Sequence, residues 1–251
     1  MNAKRKASES LPNQQNGKKP HHQNTTLNFN GRDGLGAYIK SPEKYNSDVV
    51  IYHHSDFVVI HDLYRKSSVH VLILPRSAKH NYMHPFDAFD DAEFLELCRA
   101  ELKKVEALVA AELQRKYGRY SKQDEELEKV LNGEVDIPNH QPLPVGRDWS
   151  KDVMSGVHAH PSMNHLHIHV MSKDRFSECL KHRKHYNSFN TAFFVPIEDF
   201  PLAKDDPRRE PSKEGYLKQD FKCWRCGRMF GNQFAKLKAH LEEEFDAWKR
   251  V

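Results

Sequence analysis

Short runs of β-branched and aromatic residues predict strands in the first third of the chain. Residues 47–52 and 57–61 are two such runs, and the polar residues 54–56 between them indicate a hairpin turn. The next run, Val69–Leu74, is continuously apolar and stops at Pro75, as expected of a buried strand. Three strands are therefore predicted before residue 76.

The spacing of apolar residues changes to a helical period after Asp87. Apolar residues then recur every three or four positions as far as about Lys116, which predicts one long helix with Asp87 as its N-cap. In residues 117–150 a charged helical piece over 121–132 is followed by prolines that interrupt regular structure, Pro138, Pro142 and Pro144. We interpret residues 117–150 as an insertion on the surface.

A strand pattern returns in the second half of the chain. Val153–Ala159 and His165–Met171 read as two strands joined by the short connection 160–164, and Phe193–Val195 adds a shorter one. Together with the long helix, these strands predict an α+β domain over residues 28–200, with an antiparallel sheet and helices packed on it.

Polar segments flank this domain on both sides. Residues 1–27 are almost free of apolar side chains, which predicts a disordered tail, and they hold two basic clusters, Lys4–Lys6 and Lys18–Lys19. Two such clusters separated by a flexible stretch indicate a nuclear import signal, although a merely solubilising tail has the same composition. Residues 201–219 are charged and rich in proline, which predicts a linker to a separate module over 220–251.

Composition narrows the class of protein further. The chain of 251 residues has no run of eighteen apolar residues and no apolar segment behind Met1, so neither a membrane span nor a secretory signal is expected. Its four cysteines are too few and too dispersed for a disulfide framework, which favours a reducing, intracellular compartment. The net charge is only +4, but the basic residues are clustered.

The segment His165–Met171 carries the clearest chemical signal. It alternates histidine with apolar residues, so in a strand His165, His167 and His169 share one face while the apolar residues face the core. Imidazole exchanges protons near neutral pH and can attack phosphorus as a nucleophile. A metal site is the alternative, but alternate positions on a strand lie roughly 6.5–7 Å apart, which suits two ligands better than three.

This pattern resembles the His-φ-His-φ-His-φ-φ signature of the histidine-triad superfamily of nucleotide hydrolases and transferases, φ being an apolar residue. The flanking segments 157–165 and 180–189 are similar to those of the aprataxin family, and 62–75 resembles its nucleotide-binding strand–turn–strand. The resemblance implies a histidine-triad domain in which His167 is the nucleophile. Retention of all three histidines favours hydrolysis over nucleotidyl transfer.

The same resemblance implies roles for the surrounding residues. His158, nine residues before His167, would protonate the leaving group, and His165 and His169 would complete the catalytic set. Asp62 would accept the ribose hydroxyls, although an aspartate here could equally serve only to form the turn. The further expected nucleotide and phosphate contacts are Tyr64, Lys66, His70, Ser162, Asn164, Lys181 and His185. No metal is expected in the reaction itself.

The C-terminal module has the spacing of a zinc finger. Cys223 and Cys226 form a Cys-x₂-Cys knuckle, and His240 and Glu244 stand four apart, so both reach one metal from one face of a helix. Glu244 is preferred to Glu243 by helical phase. So small a core seldom folds unaided, which supports one structural Zn²⁺. The module resembles the Cys₂-His-Glu finger of fungal aprataxins, and its lysines and arginines suit contacts with a phosphate backbone.

These features predict a DNA 5′-adenylate hydrolase that removes AMP from abortive ligation intermediates in single-strand break repair. The expected partners are DNA with 5′-adenylated ends and the product AMP, with no membrane, and the expected state is a monomer. One alternative is a general hydrolase of adenosine phosphoramidates or dinucleoside polyphosphates. The finger disfavours it, because a small substrate does not need a DNA-binding module. Another is a zinc-finger binding protein whose triad only senses nucleotides, which the intact histidines disfavour.

Overall fold

A computed structural model of the protein describes residues 31–251, and the basic tail with its predicted nuclear import signal lies outside them. The helices are α1 Gly36–Lys40, α2 Pro85–Ala88, α3 Ala92–Tyr117, α4 Glu125–Leu131, α5 Arg183–Asn190, α6 Pro211–Glu214 and α7 Phe234–Lys249. The strands are β1 Val50–His53, β2 Phe57–His61, β3 His70–Pro75, β4 Val153–His158, β5 Ile168–Ser172, β6 Phe194–Val195, β7 Phe221–Lys222 and β8 Met229–Gly231. Within residues 31–251, no helix combines the length and the apolar character that a membrane crossing requires.

Six strands form one antiparallel sheet in the order β1-β2-β3-β5-β4-β6. β1 and β2 are the predicted hairpin, and β3 and β4 both pair with β5. At the centre of the sheet, His169 of β5 lies opposite Leu72 of β3 and Gly156 of β4. The expected α+β architecture with an antiparallel sheet is confirmed, and His169, the last histidine of the motif, lies between two other strands of that sheet.

Helix α3 covers the face of the sheet away from the histidines. Its buried residues recur at helical intervals: Phe94, Leu95, Cys98, Glu101, Leu102, Val105, Val109 and Leu113. All of these except Glu101 join Leu166, Ile168 and Val170, which are almost completely buried in the same cluster. The apolar residues of the alternating motif therefore face this core, as the sequence pattern predicts.

The long helix begins four residues later than expected. A separate turn, α2, starts at Pro85, and His84 caps it by accepting from the N–H of Phe86. The N-cap of α3 is Asp91, whose carboxylate accepts from Phe94 N at 3.3 Å. The assignment of Asp87 as N-cap was therefore wrong, because α2 and α3 are separated by Phe89, which is fully buried in the core.

Hydrogen bonds connect the insertion, residues 117–150, to the C-terminal helix α7. Asp124, at the start of α4, is completely buried and accepts from Arg147 N at 2.7 Å and Trp149 Nε1 at 2.8 Å. Arg147 in turn donates to the carbonyl oxygen of Trp248 at 2.8 Å, near the end of α7. Residues 117–150 therefore contact the end of the C-terminal helix and help to hold it against the main domain.

The segment 201–219, predicted as a linker, packs on the main domain. Leu202 and Tyr216 are buried in the main core, and Arg209 donates to the carbonyl of Leu202 at 2.8 Å. Few apolar residues of this charged segment reach the core, Leu202, Tyr216 and the partly buried Leu217, which explains why its composition resembles that of a free linker.

The C-terminal module consists of the β7–β8 hairpin and α7. The first half of α7 packs Leu237 and Leu241 on Phe221 and Phe230. Its second half joins the main core through Phe245 and Trp248, and Trp248 Nε1 donates to Asp152 Oδ1 at 2.6 Å. One helix therefore belongs to the cores of both the small module and the main domain.

Candidate active site and zinc-binding finger

The three histidines of the motif do not all belong to the strand. β5 begins at Ile168, so His165 and His167 lie in the connection before it. His167 and His169 line a cavity of about 1380 Å³, whereas the ring of His165 lies outside it, against Tyr82 at a centroid distance of 4.1 Å. Only His169 of the three therefore belongs to the regular strand, and only His167 and His169 contribute side chains to the cavity.

His167 is oriented by the backbone of His165. Its Nδ1 lies 2.8 Å from the carbonyl oxygen of His165, which can only accept, so Nδ1 carries the proton and Nε2 a lone pair. The side chain is only 6% exposed, and burial lowers its pKa below the ordinary 6.5. His167 is therefore a neutral imidazole at pH 7 with Nε2 available for attack on an electrophile.

A hydrogen-bond relay fixes the protonation of His169. The backbone N–H of Lys66 donates to His70 Nδ1 at 3.1 Å, so the proton of neutral His70 is on Nε2. That nitrogen lies 2.9 Å from His169 Nδ1, which accepts, and the proton of His169 is consequently on its Nε2. Burial lowers the pKa of His70 to about 4 and that of His169 well below its ordinary value. Both rings are therefore neutral at pH 7.

His158, the last residue of β4, lies beside His169. The two ring centroids are 4.6 Å apart, and Phe189 of α5 lies 4.6 Å from His158 on another side. His158 is hydrogen-bonded to the backbone of Ser188, which leaves its Nε2 buried without a partner among the described residues. Burial lowers its pKa well below 6.5. The Nε2 of His169 is likewise buried and unpartnered.

Two buried imidazole nitrogens without partners indicate that something polar binds between them. The charges of the cavity point to an anion: among the lining residues that the structure describes, Asp62 is the only carboxylate, and the cations are Arg32, Lys66, Arg183, Lys184 and Lys218. An anionic ligand would also raise the low pKa of the buried histidines and favour their protonation. The site is thus suited to a phosphate-containing ligand.

Several predicted contact residues line the cavity, namely Asp62, Tyr64, Lys66, Ser162 and His185. Asp62 Oδ1 accepts from Tyr64 N at 2.7 Å, which is the turn-forming bond, and Oδ2 lies 3.5 Å from His70 Nε2. The carboxylate therefore forms the turn and also borders the cavity.

Three other predicted contact residues are not among the lining residues. His70 stands behind His169, as its hydrogen bond shows. The amide of Asn164 donates to Asp33 Oδ1 at 2.8 Å, and Lys181 is exposed beside the cavity. A direct contact with a bound nucleotide is therefore not supported for these side chains in this geometry.

Two walls of the cavity contain none of the predicted contact residues. One is the segment Gly31–Tyr38, whose Arg32 donates to the carbonyl oxygens of Ser162 at 3.0 Å and Pro161 at 3.3 Å. The other is the segment 211–218, which contributes Ser212 and Lys218. Each wall reaches the cavity through contacts between segments that are far apart in the chain, and no local sequence pattern predicts such contacts.

The low pKa values of the four buried histidines at and behind the cavity, His70, His158, His167 and His169, have a consequence for stability. Below pH 6.5 the unfolded chain protonates these histidines while the folded chain does not, so the free energy of unfolding should fall as pH drops. The loss is about 1.4 kcal/mol per pH unit for each such histidine. Urea unfolding at pH 7.5, 6 and 5 measures it. His70→Gln should show a shallower decline, and identical pH dependence in both proteins would contradict the assignment.

The four predicted zinc ligands come together at the base of the finger. One donor atom from each of Cys223, Cys226, His240 and Glu244 lies within 4.8 Å of the others. Cys226 Sγ is 3.2 Å from His240 Nε2, and that nitrogen is 3.1 Å from Glu244 Oε1. Ligands at 2.0–2.3 Å from a tetrahedral zinc are roughly 3.3–3.8 Å apart, so this donor set fits the ion with small adjustments.

The choice of glutamate follows from the helix. Glu244 is buried and shares a face of α7 with the coordinating nitrogen of His240, whereas the Glu243 side chain is 80% exposed and lies near the other ring nitrogen. Arg225 Nη1 donates to the second oxygen of Glu244 at 2.7 Å, which orients the carboxylate.

Comparison with known families agrees with these two sites. Residues 43–176 match the HIT domain family, and residues 190–247 match the C2HE / C2H2 / C2HC zinc-binding finger. The chain is 37% identical over 217 residues to an aprataxin-like protein of Schizosaccharomyces pombe, covering 86% of this chain and 82% of the relative. It is 36% identical over 218 residues to an aprataxin-like protein of Saccharomyces cerevisiae, covering 86% and 96%.

Solved structures give the same result. The aprataxin ortholog Hnt3 in complex with DNA matches with a TM-score of 0.66 at 31% identity, covering 86% of this chain and 96% of that chain. Hnt3 in complex with DNA and guanosine matches with a TM-score of 0.66 at 32% identity and the same coverage. The chain therefore belongs to the aprataxin-like proteins of the histidine-triad (HIT) family and contains a C2HE zinc-binding finger.

Proposed function

We propose that this protein hydrolyses 5′-adenylated DNA ends and releases AMP. The observation that carries the proposal is one basic cavity that holds the Nε2 lone pair of His167 together with the unpartnered Nε2 atoms of His158 and His169. These are the groups that a nucleophilic displacement at a phosphoanhydride needs: an attacking lone pair, a proton donor and a donor for the phosphate oxygens.

In the proposed first step, His167 Nε2 attacks the phosphorus of the adenylate. A nitrogen–phosphorus bond forms, and the bond from that phosphorus to the bridging oxygen of the DNA 5′-phosphate breaks. His158, protonated once the anionic substrate has raised its pKa, transfers its proton to the departing phosphate. The Nε2–H of His169, fixed by the relay from His70, donates to a non-bridging oxygen of the adenylate.

In the proposed second step, water attacks the histidine-bound phosphorus and the nitrogen–phosphorus bond breaks. The water gives a proton to His158, which lost its own in the first step, AMP leaves, and His167 recovers its neutral imidazole with the proton on Nδ1. Asp62 would accept a ribose hydroxyl with the oxygen not engaged by Tyr64 N, and Lys66 would balance charge on the phosphates.

The finger and the segment before it would hold the DNA. Lys218, next to the finger, already lines the cavity, and Lys222, Arg228, Lys236 and Lys238 belong to the finger itself. The solved relatives named above are DNA complexes of Hnt3, which supports the same class of partner here. Zinc held by the four ligands would fix the shape of this basic module. The basic clusters of the tail further support action in the nucleus.

The test compares two substrates. A nicked duplex carrying a 5′-adenylate and adenosine 5′-phosphoramidate are offered separately, and kcat/KM for AMP release is measured for each. We expect the DNA to be preferred by a factor of about a hundred or more, because only DNA engages the finger and the phosphate-backbone contacts. Equal or better turnover of the phosphoramidate would instead indicate a general nucleotidyl hydrolase.

The role of His158 predicts a dependence on the leaving group. His158→Gln should slow AMP release from the adenylated nick by about a hundredfold or more, because the departing phosphate loses its proton donor. With a p-nitrophenyl ester of AMP, whose leaving group needs no proton, the loss should be below about tenfold. The ratio of the two losses is the measurement, and equal losses on both substrates would exclude His158 as the acid.

A further inference from the structure

Helix α5 stands between the cavity and the finger. Four of its side chains lie at helical intervals on one face and donate to main-chain carbonyls of residues 217–222, or to finger side chains: Arg183, Tyr186, Asn187 and Asn190. On the opposite face, His185, Ser188 and Phe189 border the cavity. This helix of eight residues thus forms a wall shared by both sites.

Tyr186 is the most direct link to the zinc knuckle. Its hydroxyl donates to the carbonyl oxygen of Lys222 at 2.8 Å and accepts from the N–H of Trp224 at 3.0 Å. Lys222 and Trp224 are the neighbours of the ligand Cys223 on either side. The side chain of Tyr186 is completely buried, so no solvent replaces these bonds when they are lost.

On its other face, α5 determines where His158 lies. The backbone of Ser188 holds one nitrogen of His158, and the ring of Phe189 lies 4.6 Å from that of His158 and 5.1 Å from that of His169. Arg175 Nη2 donates to the carbonyl oxygen of Phe189 at 2.8 Å and fixes that end of the helix. A shift of α5 therefore moves the partner and the packing of His158 together.

We infer that the folded zinc knuckle positions the proton donor His158 through the Tyr186 hydroxyl and α5. The finger then supports catalysis on every adenylate, including small ones that never touch it, in addition to any role in gripping DNA. Tyr186 is a positioning residue in this arrangement, since it contacts neither the substrate nor the reacting atoms. The inference rests on the proposed function, in which His158 protonates the leaving group.

The experiment uses the full chain and Tyr186→Phe, which removes the hydroxyl and keeps the ring. Tyr52→Phe is the matched control, because its hydroxyl donates to Glu101 Oε1 at 2.7 Å in a region that does not line the cavity. Zinc content is measured first, and each protein is assayed after reloading to the wild-type zinc content. Kinetics on adenosine 5′-phosphoramidate then exclude any effect of DNA binding.

We expect kcat of Tyr186→Phe on this small substrate to fall by about tenfold with KM nearly unchanged, because displacement of a positioned acid slows the chemical step. In ¹⁵N-histidine spectra, the His158 signals should shift while those of His165 stay. Tyr52→Phe should match wild type in both measurements. Cys226→Ala, which removes a zinc ligand, should lose at least as much kcat on the small substrate as Tyr186→Phe.

Two results would overturn the inference. One is wild-type kcat and unshifted His158 signals in zinc-loaded Tyr186→Phe. The other is wild-type turnover of the small substrate by Cys226→Ala. Failure of the proposed function would be seen separately, as AMP release by a variant without His167, whereas failure of the inference leaves that result unchanged.

Discussion

His167→Ala should lose at least about ten-thousandfold in AMP release from a 5′-adenylated nick, while the protein stays folded. Each other group of the site assists a displacement that His167 itself performs, so no neighbouring residue can replace it. His167 is buried in the cavity wall, where truncation removes one side-chain hydrogen bond to a carbonyl oxygen. Initial rates and circular dichroism of the two proteins measure both parts of this expectation.

His165→Ala is the matched control, since it removes a histidine from the same motif. The ring of His165 does not line the cavity, and its contribution to the site is the backbone carbonyl that the substitution keeps. We expect a loss within about tenfold for this variant. A loss in His165→Ala comparable to that in His167→Ala would mean that the side chain has a chemical role that the geometry does not provide.

Cys226→Ala should reduce zinc content from one ion per chain to nearly none and unfold the finger. The apolar cluster of the finger contains only seven buried residues, two of which, Leu180 and Tyr186, come from outside it. Structural zinc in small fingers contributes about 10–16 kcal/mol of apparent binding free energy, so a core of this size cannot substitute for it. Atomic absorption and proteolysis of the C-terminal region are the measurements.

Cys179→Ala is the control for the loss of a thiol. Cys179 is partly buried beside α5 and is not among the four clustered zinc donors. This variant should keep a full complement of zinc and a protease-resistant finger. Full zinc content in Cys226→Ala, or zinc loss in Cys179→Ala, would show that the ligand set is different.

The core and the zinc ligands could be predicted from local sequence. The alternation of histidine with apolar residues predicted that Leu166, Ile168 and Val170 lie in the core. The prediction holds because side chains alternate in direction along any extended segment, in the connection before β5 as well as in the strand itself. Helical phase separated Glu244 from Glu243, since side chains four apart share a face. In both cases the information lies within a few residues of the position concerned.

The role of His165 and the second wall of the cavity could not be predicted in this way. Where β5 begins depends on the pairing of Gly156 and Ile73 with its first residues and on a bond from Leu166 N to the Asn81 carbonyl. The wall over 211–218 depends on the burial of Tyr216 in a core built by distant segments. Such contacts arise only when the whole domain has folded.

The most direct test of the proposed reaction uses DNA labelled at the adenylate phosphorus. The reaction is stopped rapidly during turnover without acid, because acid would hydrolyse a histidine phosphoramidate. If His167 is the nucleophile, label becomes bound to the protein while unlabelled 5′-phosphate DNA is released in an equal amount. Peptide mapping should then place an acid-labile, base-stable phosphoramidate on His167. AMP release without any protein-bound label, or label on another residue, would contradict the proposed mechanism.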